Sequence, residues 1–211
     1  MFVSKKKNIL FFHIPKTAGT SIHNYLYAEC ADGAFFTNLM FEKFLKRYDG
    51  KFNFFKQSQI YQLPEFKHLS QRQGSLILEE LNLNVKNFIE FVVVRNPYDR
   101  LISYYNFILH KDYSNMHKLL DDIESNTVDP VLHYRTQLEY IKNPLTNNLR
   151  IFKYERLDEC EVFLQDMLGT NQMLPKLNVT TNSFIEGLDK GIKDRVYTIF
   201  REEFDLLGYS K

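Results

Sequence analysis

The stretch FFHIPKTAGTS, residues 11–21, places an apolar strand, a tight turn and the start of a helix in consecutive positions. Amide N–H groups in the first turn of a helix have no partner within the helix, and the positive end of the helix dipole adds to their attraction for anions. Gly19 lets the backbone approach closely, while Thr20 and Ser21 offer hydroxyl donors. Lys16 adds a positive charge on a flexible stem. The stretch therefore predicts a binding loop for a phosphate-like anion.

The loop differs from the phosphate-binding loop of common nucleotide kinases, which follows the pattern G-x-x-x-x-G-K-[ST]. Here Lys16 precedes Gly19 by three residues, whereas the kinase lysine follows its glycine directly. The next strongly apolar strand, Ile89–Val94, is followed by Arg95 and not by the aspartate that would hold Mg²⁺ in such enzymes. These differences argue against a magnesium-dependent kinase and indicate a second anion site.

That second site is predicted in the stretch FVVVRNPYDRLISYY, residues 91–105. Asn96 suits the N-cap of a helix and Pro97 suits its first position, so a helix begins directly after the strand. We expect Arg95 and Ser103 to bind one phosphate together, the guanidinium with its two-pronged donor edge and the hydroxyl from the side. The alternative is that Arg95 pairs with a carboxylate and that Ser103 faces solvent.

Together the two segments resemble the PAPS-dependent sulfotransferases, and within them the branch of uronosyl and chondroitin carbohydrate sulfotransferases. Residues 15–21 are similar to that family's loop for the 5′-phosphosulfate, and residues 95–104 are similar to its motif for the 3′-phosphate. Weaker similarity at residues 152–157 and 204–209 extends the resemblance over nearly the whole chain. It implies that PAPS is the donor and that the residues binding it are Lys16, Thr17, Ala18, Gly19, Thr20, Ser21, Arg95 and Ser103.

PAPS as donor implies in-line transfer of a sulfuryl group to an acceptor oxygen or nitrogen, by positioning and by stabilisation of charge on the leaving group. Lys16 is the expected catalytic cation at the bridging oxygen. His68 lies where the family carries a Lys-His element with its catalytic base, and imidazole suits a base near neutral pH. His13 is the second candidate for the base, and its alternative role is to orient the loop. No metal is expected, because a sulfuryl group carries fewer negative charges than a phosphoryl group.

Further polar residues keep two interpretations each. Arg100 either contacts an anion of the donor or acceptor, or forms a salt bridge with Asp99 or Glu155. Glu155 is expected to be a structural carboxylate that organises the loops. Two interpretations, contact with the site or an ordinary surface or core position, are open for His133, Lys176, Lys190, Lys193 and the segment Phe52–Phe55.

Length and composition indicate one compact domain, residues 1–211, with 44% apolar residues and a net charge of +1, and the resemblance implies that it is a sulfotransferase domain. This charge gives no overall bias toward nucleic acid. Cys30 and Cys160 are expected to be free buried thiols. No apolar run approaches the length of a membrane span. Animal members of the resembled family carry an N-terminal Golgi anchor, so the chain is predicted to be cytoplasmic or an isolated catalytic domain.

The hydrophobic pattern predicts an α/β, P-loop-like three-layer fold, in which helices flank a central, mostly parallel β-sheet. Strands are predicted near Asn8–Ile14, Ile89–Val94 and Leu149–Lys153, each followed by a helical pattern. Gly169 and Gly208 lie where C-terminal caps are expected. The predicted helices are Ser21–Glu29, Thr37–Tyr48, Ser75–Leu81, Pro97–Leu109, Met116–Ser125, Leu132–Ile141, Leu157–Leu168 and Lys190–Leu206.

Three functions stay in competition at this point. The first is PAPS-dependent sulfation of a carbohydrate or glycolipid hydroxyl, which both motifs and their order favour. The second is noncatalytic nucleotide binding on the same fold. The third is a P-loop kinase, which the missing G-K-[ST] pattern opposes. The sugar acceptor follows from the resemblance alone.

Overall fold

The computed structural model describes residues 1–33, 69–80, 82–108, 115–125, 136–177 and 188–211. Within these residues β1 (Phe2–Ser4), β2 (Ile9–Phe12), β3 (Ile89–Val94) and β4 (Leu149–Lys153) form one sheet in the order β1-β2-β3-β4. Strand β1 pairs with β2 in antiparallel orientation, and the other two pairs are parallel. The predicted, mostly parallel sheet of an α/β fold is confirmed.

Seven α-helices surround the sheet in the described part of the chain. Two short 3₁₀ turns, Gln137–Tyr140 and Tyr154–Arg156, flank β4 in the sequence. The helices are α1 (Gly19–Glu29), α2 (Gln71–Glu80), α3 (Pro97–Ile108), α4 (Met116–Glu124), α5 (Leu157–Leu168), α6 (Lys190–Ile199) and α7 (Arg201–Leu207).

Helices cover both faces of the sheet. Alternate residues of β2 and β3 point to opposite faces, so each strand contributes side chains to two buried clusters. Phe11 and Phe91 stack with ring centroids 4.7 Å apart and share a buried cluster with Leu26 of α1 and Leu164 of α5. The other face buries a second cluster, in which Phe12 joins Leu78 of α2. Helices α3, α4, α6 and α7 enclose a third cluster. The order of layers is therefore helix, sheet, helix.

The sheet differs from the sequence prediction at its first strand and at one edge. The strand predicted at Asn8–Ile14 covers only Ile9–Phe12, since Asn8 has a positive φ of 53° and ends the turn from β1. Strand β1 was not predicted, because its three residues are too few to display a period. Its pairing with β2 puts an antiparallel strand at the edge of a parallel sheet.

Two helices differ from their predicted bounds. The helix predicted at Lys190–Leu206 is the pair α6 and α7, which meet at Phe200. Phe200 leaves helical geometry with φ −109° and ψ 21°, and its ring is only 6% exposed, so core packing accompanies the break. The helix predicted at Ser75–Leu81 begins earlier, at Gln71. Within the predicted Leu132–Ile141, residues 137–140 form a 3₁₀ turn, and residues 132–135 and the predicted helix Thr37–Tyr48 lie outside the described residues.

Several local predictions are confirmed. Gly169 and Gly208 have φ values of 69° and 64° and cap α5 and α7 in left-handed geometry. Cys30 and Cys160 are both buried and free.

Across the described ranges, every helix is too short or too polar to cross a bilayer. The loops that follow β2 and β3 leave the carboxyl ends of neighbouring parallel strands, the edge where α/β sheets bind ligands.

Candidate functional site

The first loop joins β2 to α1 and bends sharply at two residues. Lys16 and Ala18 have φ values of 69° and 64°, a left-handed geometry that is unusual for residues with a side chain. The fully buried Thr17 donates its hydroxyl proton to the carbonyl of Ile14 over 2.8 Å. Thr17 therefore uses its hydroxyl to close the turn.

The amino end of α1 leaves amide groups available. Ile22 is the first residue of the helix whose N–H reaches a helical acceptor, the carbonyl of Ala18 at 3.2 Å. The amides of Gly19, Thr20 and Ser21 precede that bond and point out of the helix end. Thr20 is exposed, whereas Ser21 is buried and accepts the backbone N–H of Leu177 at 3.1 Å. Residues 18–21 thus form a helix start whose amides have the geometry that suits an anion, and Ser21 is also bonded to a later loop.

Gly19 is required here by a neighbouring side chain. A Cβ placed on Gly19 would lie 1.7 Å from Cδ2 of His13, so the imidazole occupies the space that a larger residue would need. His13 is 4% exposed, and its ring centroid lies 4.8 Å from that of His23. His13 therefore packs beneath the loop, in the place expected for a residue that orients it.

Lys16 lies beside an aromatic ring at the surface of this loop. Its Nζ is 4.1 Å from the centroid of Phe107, a ring that is 66% exposed. Burial, and to a lesser extent the charge of Arg95, lower the pKa of Lys16 from 10.5 to about 8. The amine is thus a cation whose charge is sensitive to pH near neutrality.

Arg95 links the second motif to the first. Its Nη1 donates to the carbonyl of Lys16 at 3.2 Å, and its guanidinium lies 4.1 Å from the ring centroid of Tyr154. Its Nε is buried and has no hydrogen-bond partner among the described residues. Because an arginine presents five N–H donors, Arg95 retains donor capacity for an anion.

Two side-chain acceptors, the amide oxygen of Asn96 and the carboxylate of Glu155, bond backbone N–H groups at the amino end of α3. Asn96 accepts the N–H of Tyr98 at 2.9 Å as an N-cap, and its own N–H donates to Glu155 Oε1 at 2.8 Å. Glu155 Oε2 accepts the hydroxyl of Tyr209 at 2.9 Å; burial and this carboxylate raise the pKa of that hydroxyl. Ser103 lies farther along α3 and is 7% exposed. The backbone N–H of Asn96 is therefore already bonded to a carboxylate of the protein, that of Glu155.

Arg100 takes neither of the two acidic partners considered from the sequence. It is 1% exposed, its Nε donates to the carbonyl of Pro15 at 3.2 Å, and its Nη1 lies 3.9 Å from Glu203 Oε1. Asp99 instead keeps Oδ1 buried without a hydrogen bond from the described residues. Burial raises the pKa of Asp99, the charge of Arg95 opposes this rise, and Glu155 adds to it.

Gln137 is a site residue that the sequence did not single out. Its Oε1 accepts the N–H of Arg95 at 2.8 Å, its Nε2 donates to the Arg95 carbonyl at 2.9 Å, and Nε2 also reaches Glu203 Oε2 at 2.8 Å. The available signal was His133, a candidate for a site contact that lies four residues earlier in the sequence. Phe107 was also missed, although it lies seven residues after Arg100 and so on the same face of α3.

Other predicted residues are spread between the site and its surroundings. His68, His133 and the segment Phe52–Phe55 lie outside the described residues. Lys176 precedes Leu177 in the loop that contacts α1, and Lys190 opens α6 as an exposed residue. Lys193 offers its carbonyl to the hydroxyl of Tyr98 at 3.4 Å. In the described ranges no group of three or more His, Cys, Asp or Glu side chains is arranged to hold a metal ion.

Nearly the whole chain matches one family of known proteins. Residues 1–210 match the family model described as "Sulfotransferase family". A search of curated proteins found no match. Among solved structures, one similar chain is the crystal structure of a sulfotransferase from Alicyclobacillus acidocaldarius, with 12% sequence identity and a TM-score of 0.43. That similarity covers 66% of this chain and 60% of the other.

Proposed function

Because the chain belongs to the sulfotransferase family, we propose that it transfers the sulfuryl group of PAPS to an acceptor hydroxyl. The observation that carries the proposal is the 3.2 Å hydrogen bond from Arg95 Nη1 to the carbonyl of Lys16. It joins two motifs that lie far apart in the sequence and that are each suited to an anion. A donor with phosphate groups at the 3′ and 5′ positions of its ribose matches two adjoining anion sites.

In this proposal the 5′ end of the donor lies on the amino end of α1 (Gly19–Glu29). The amides of residues 18–21 and the ammonium group of Lys16 surround it, and their charge and dipoles suit a sulfate linked to a phosphate. Arg95 and Ser103 bind the 3′-phosphate. The buried Nε of Arg95, which lacks a partner in the described residues, supports this assignment because it leaves a donor for a phosphate oxygen.

The chemistry supplied by the donor is an activated sulfuryl group. A bond forms between the acceptor oxygen and sulfur while the bond from sulfur to the 5′-phosphate oxygen breaks, so that PAP leaves. Lys16 stabilises the negative charge that develops on that oxygen. The acceptor proton passes to a base, for which His68 stays a prediction, and metal independence likewise stays a prediction.

The proposed acceptor is a hydroxyl group on a carbohydrate or glycolipid. The resemblance to carbohydrate sulfotransferases supports a sugar hydroxyl on a carbohydrate or glycolipid. A single domain over residues 1–211 and a cytoplasmic location also stay predictions. Noncatalytic nucleotide binding is the alternative function, and it shares the donor site while lacking transfer.

Isothermal titration with PAP in magnesium-free buffer tests the donor site. We expect micromolar binding to the wild type, about 8 kcal/mol. Arg95→Ala removes a charged partner and should weaken binding by about 2 kcal/mol. Arg150→Ala is the matched control, since Arg150 is an exposed arginine near the other end of the sheet, and it should bind as the wild type does. No binding of PAP to the folded wild type would refute the proposal.

Transfer itself is tested with PAPS carrying radiolabelled sulfate and a mixture of carbohydrate acceptors. Label on a carbohydrate supports the enzyme. PAP binding with no transfer to any sugar, lipid or simple alcohol acceptor supports the noncatalytic alternative. Strict dependence on Mg²⁺ with a nucleoside triphosphate would favour a kinase.

A further inference from the structure

Two arginines of the second motif hold consecutive carbonyl groups of the first loop. Arg100 Nε donates to Pro15, and Arg95 Nη1 donates to Lys16, each over 3.2 Å. A planar trans peptide points its N–H opposite to its carbonyl oxygen, and the described chain has no cis peptide. The two bonds therefore also fix the directions of the amides of Lys16 and Thr17.

Arg100 is held in place by a buried carboxylate. Arg100 and Glu203 are each 1% exposed, with Nη1 and Oε1 3.9 Å apart. Glu203 Oε1 accepts the hydroxyl of Thr136 and the N–H of Gln137, both at 2.7 Å, and Oε2 accepts Gln137 Nε2 at 2.8 Å. A carboxylate with three hydrogen bonds and an adjacent guanidinium has little freedom to move.

The same network reaches the second anion site through Gln137. This side chain bonds both the N–H and the carbonyl of Arg95. A continuous chain of contacts thus runs from the Arg95 backbone through Gln137, Glu203 and Arg100 to Pro15. Buried polar groups that are satisfied in this way rigidify the segments that they join.

The loop needs such support because its backbone is unfavourable. Lys16 and Ala18 are both left-handed, and non-glycine residues keep this geometry only where the surroundings impose it. We propose that Arg100, held by Glu203, is a positioning residue that fixes the anion loop in its binding conformation. The inference deepens the proposed function, and its ligand readout rests on PAP as the donor product.

The test combines a ligand-free measurement with binding. Arg100→Lys keeps a positive charge beside Glu203 but removes the guanidinium that reaches Glu203 and Pro15 together. Loop exchange is the hydrogen exchange of the Ile22 amide, whose N–H bonds the carbonyl of Ala18 in the loop, and without ligand it should become at least ten-fold faster. Affinity for PAP and for 5′-AMP should fall about ten-fold, while affinity for 3′-AMP should stay within two-fold of wild type.

Two further variants complete the design. Arg195→Lys is the matched control, because Arg195 bonds Asp121 and Glu124 on α4, outside the loop and its network, and it should leave loop exchange unchanged. Glu203→Gln keeps Arg100 and the shape of the carboxylate, so it is the milder variant if Arg100→Lys does not fold, and it should accelerate loop exchange in the same direction.

The outcomes separate the two proposals. Folded Arg100→Lys or Glu203→Gln protein with wild-type loop exchange and wild-type PAP affinity would overturn the role of Arg100. Loss of thermal stability with unchanged loop exchange and affinity would also overturn it, since that is the result of a purely structural residue. If the wild type itself does not bind PAP, the donor proposal fails, while the exchange experiment still decides the role of Arg100.

Discussion

At the scale of single residues, Lys16 joins a catalytic expectation to a measurable electrostatic property. Its partial burial and the nearby charge of Arg95 lower its pKa to about 8. The protonated form is the one that attracts a leaving phosphate. A lysine with its ordinary pKa would keep this charge throughout the neutral range, whereas Lys16 loses part of it under mildly alkaline conditions.

We predict that the affinity for PAP falls as the pH rises through about 8, because Lys16 then releases its proton. Titration calorimetry from pH 6.5 to 9.5 measures this. Lys16→Gln should bind more weakly at pH 7 and lose the pH dependence, whereas Lys86→Gln, which changes an exposed lysine, should follow the wild-type profile. An identical pH profile for wild type and Lys16→Gln would contradict the prediction.

The same pKa has a consequence for stability whose sign is fixed. Between about pH 8 and 10.5 the unfolded chain keeps the Lys16 proton while the folded chain has released it. The free energy of unfolding contributed by Lys16 therefore rises with pH across this window. Urea unfolding at pH 8 and pH 10 should show this contribution in the wild type, and Lys16→Gln should lack it.

The residues that could be predicted from the sequence are those inside continuous motifs. Arg95 follows β3 directly and Lys16 lies four residues after the end of β2, so their positions in loops are local properties of the sequence. Gln137 and Glu203 are 66 residues apart, and Gln137 is 42 residues from Arg95. Contacts at such separations depend on how the elements pack, which a single sequence pattern does not contain.

At the scale of elements, the first loop combines a costly backbone with a glycine that has a steric purpose. Ala18 carries the left-handed geometry that precedes α1, although glycine would adopt it at less cost. Gly19 in turn is needed because His13 fills the space beside it. The sequence pattern predicted a tight turn here, but only the packing of His13 shows which position must lack a side chain.

Ala18→Gly should stabilise the protein, by about 0.5 kcal/mol, because relief of the left-handed strain exceeds the added entropy of the unfolded chain. Chemical denaturation measures the change. Ala28→Gly, at an exposed position in the last turn of α1, is the control of opposite sign and should cost up to about 1 kcal/mol. A loss of stability for both variants would show that the backbone at residue 18 is not strained.

Gly19→Ala should destabilise the protein by about 2 kcal/mol, since its Cβ would overlap the ring of His13. The double variant Gly19→Ala with His13→Ala tests the cause. If the collision with His13 is responsible, the glycine substitution should cost much less in the His13→Ala background. Equal costs in both backgrounds would assign the effect to the backbone instead.

At the scale of the whole molecule, a buried carboxylate holds together the end of the sheet opposite the anion loops. Glu90 on β3 is fully buried and accepts hydrogen bonds from Gln71 Nε2 at 2.6 Å and from the amides of Leu145 and Thr146 at 2.7 and 3.1 Å. Burial raises its pKa although these bonds oppose the rise. It joins α2 and the segment before β4 to the central strand.

Glu90→Leu should lower the free energy of unfolding by about 3 kcal/mol or more, because several buried donors lose their acceptor. Urea denaturation measures the loss, and Glu79→Leu, at an exposed position on α2, should change stability by less than about 0.5 kcal/mol. Since the raised pKa makes the folded chain hold this proton longer, the contribution of Glu90 to stability falls as pH rises above 4.5. Glu90→Gln should lack that fall.

The overall architecture was predictable where elements are long and periodic. The apolar run at Ile89–Val94 and its neighbours indicated a mostly parallel sheet with helices on both faces, and the described part of the chain forms such a sheet. The break at Phe200 was not predictable, because the residues around it keep a helical pattern and only core packing coincides with the interruption. Strand β1 likewise depends on pairing with β2.

The manner in which Gln137 holds Arg95 has a consequence for evolution and design. Gln137 bonds only the backbone N–H and carbonyl of that residue, so its contribution is independent of the side chain at the position. The support that Gln137 gives to the backbone of residue 95 is thus separate from the chemistry of its side chain. Lysine, histidine or glutamine at position 95 would keep both backbone bonds to Gln137 but would lose the guanidinium that bonds the Lys16 carbonyl, so a single substitution there changes ligand preference and the loop contact together.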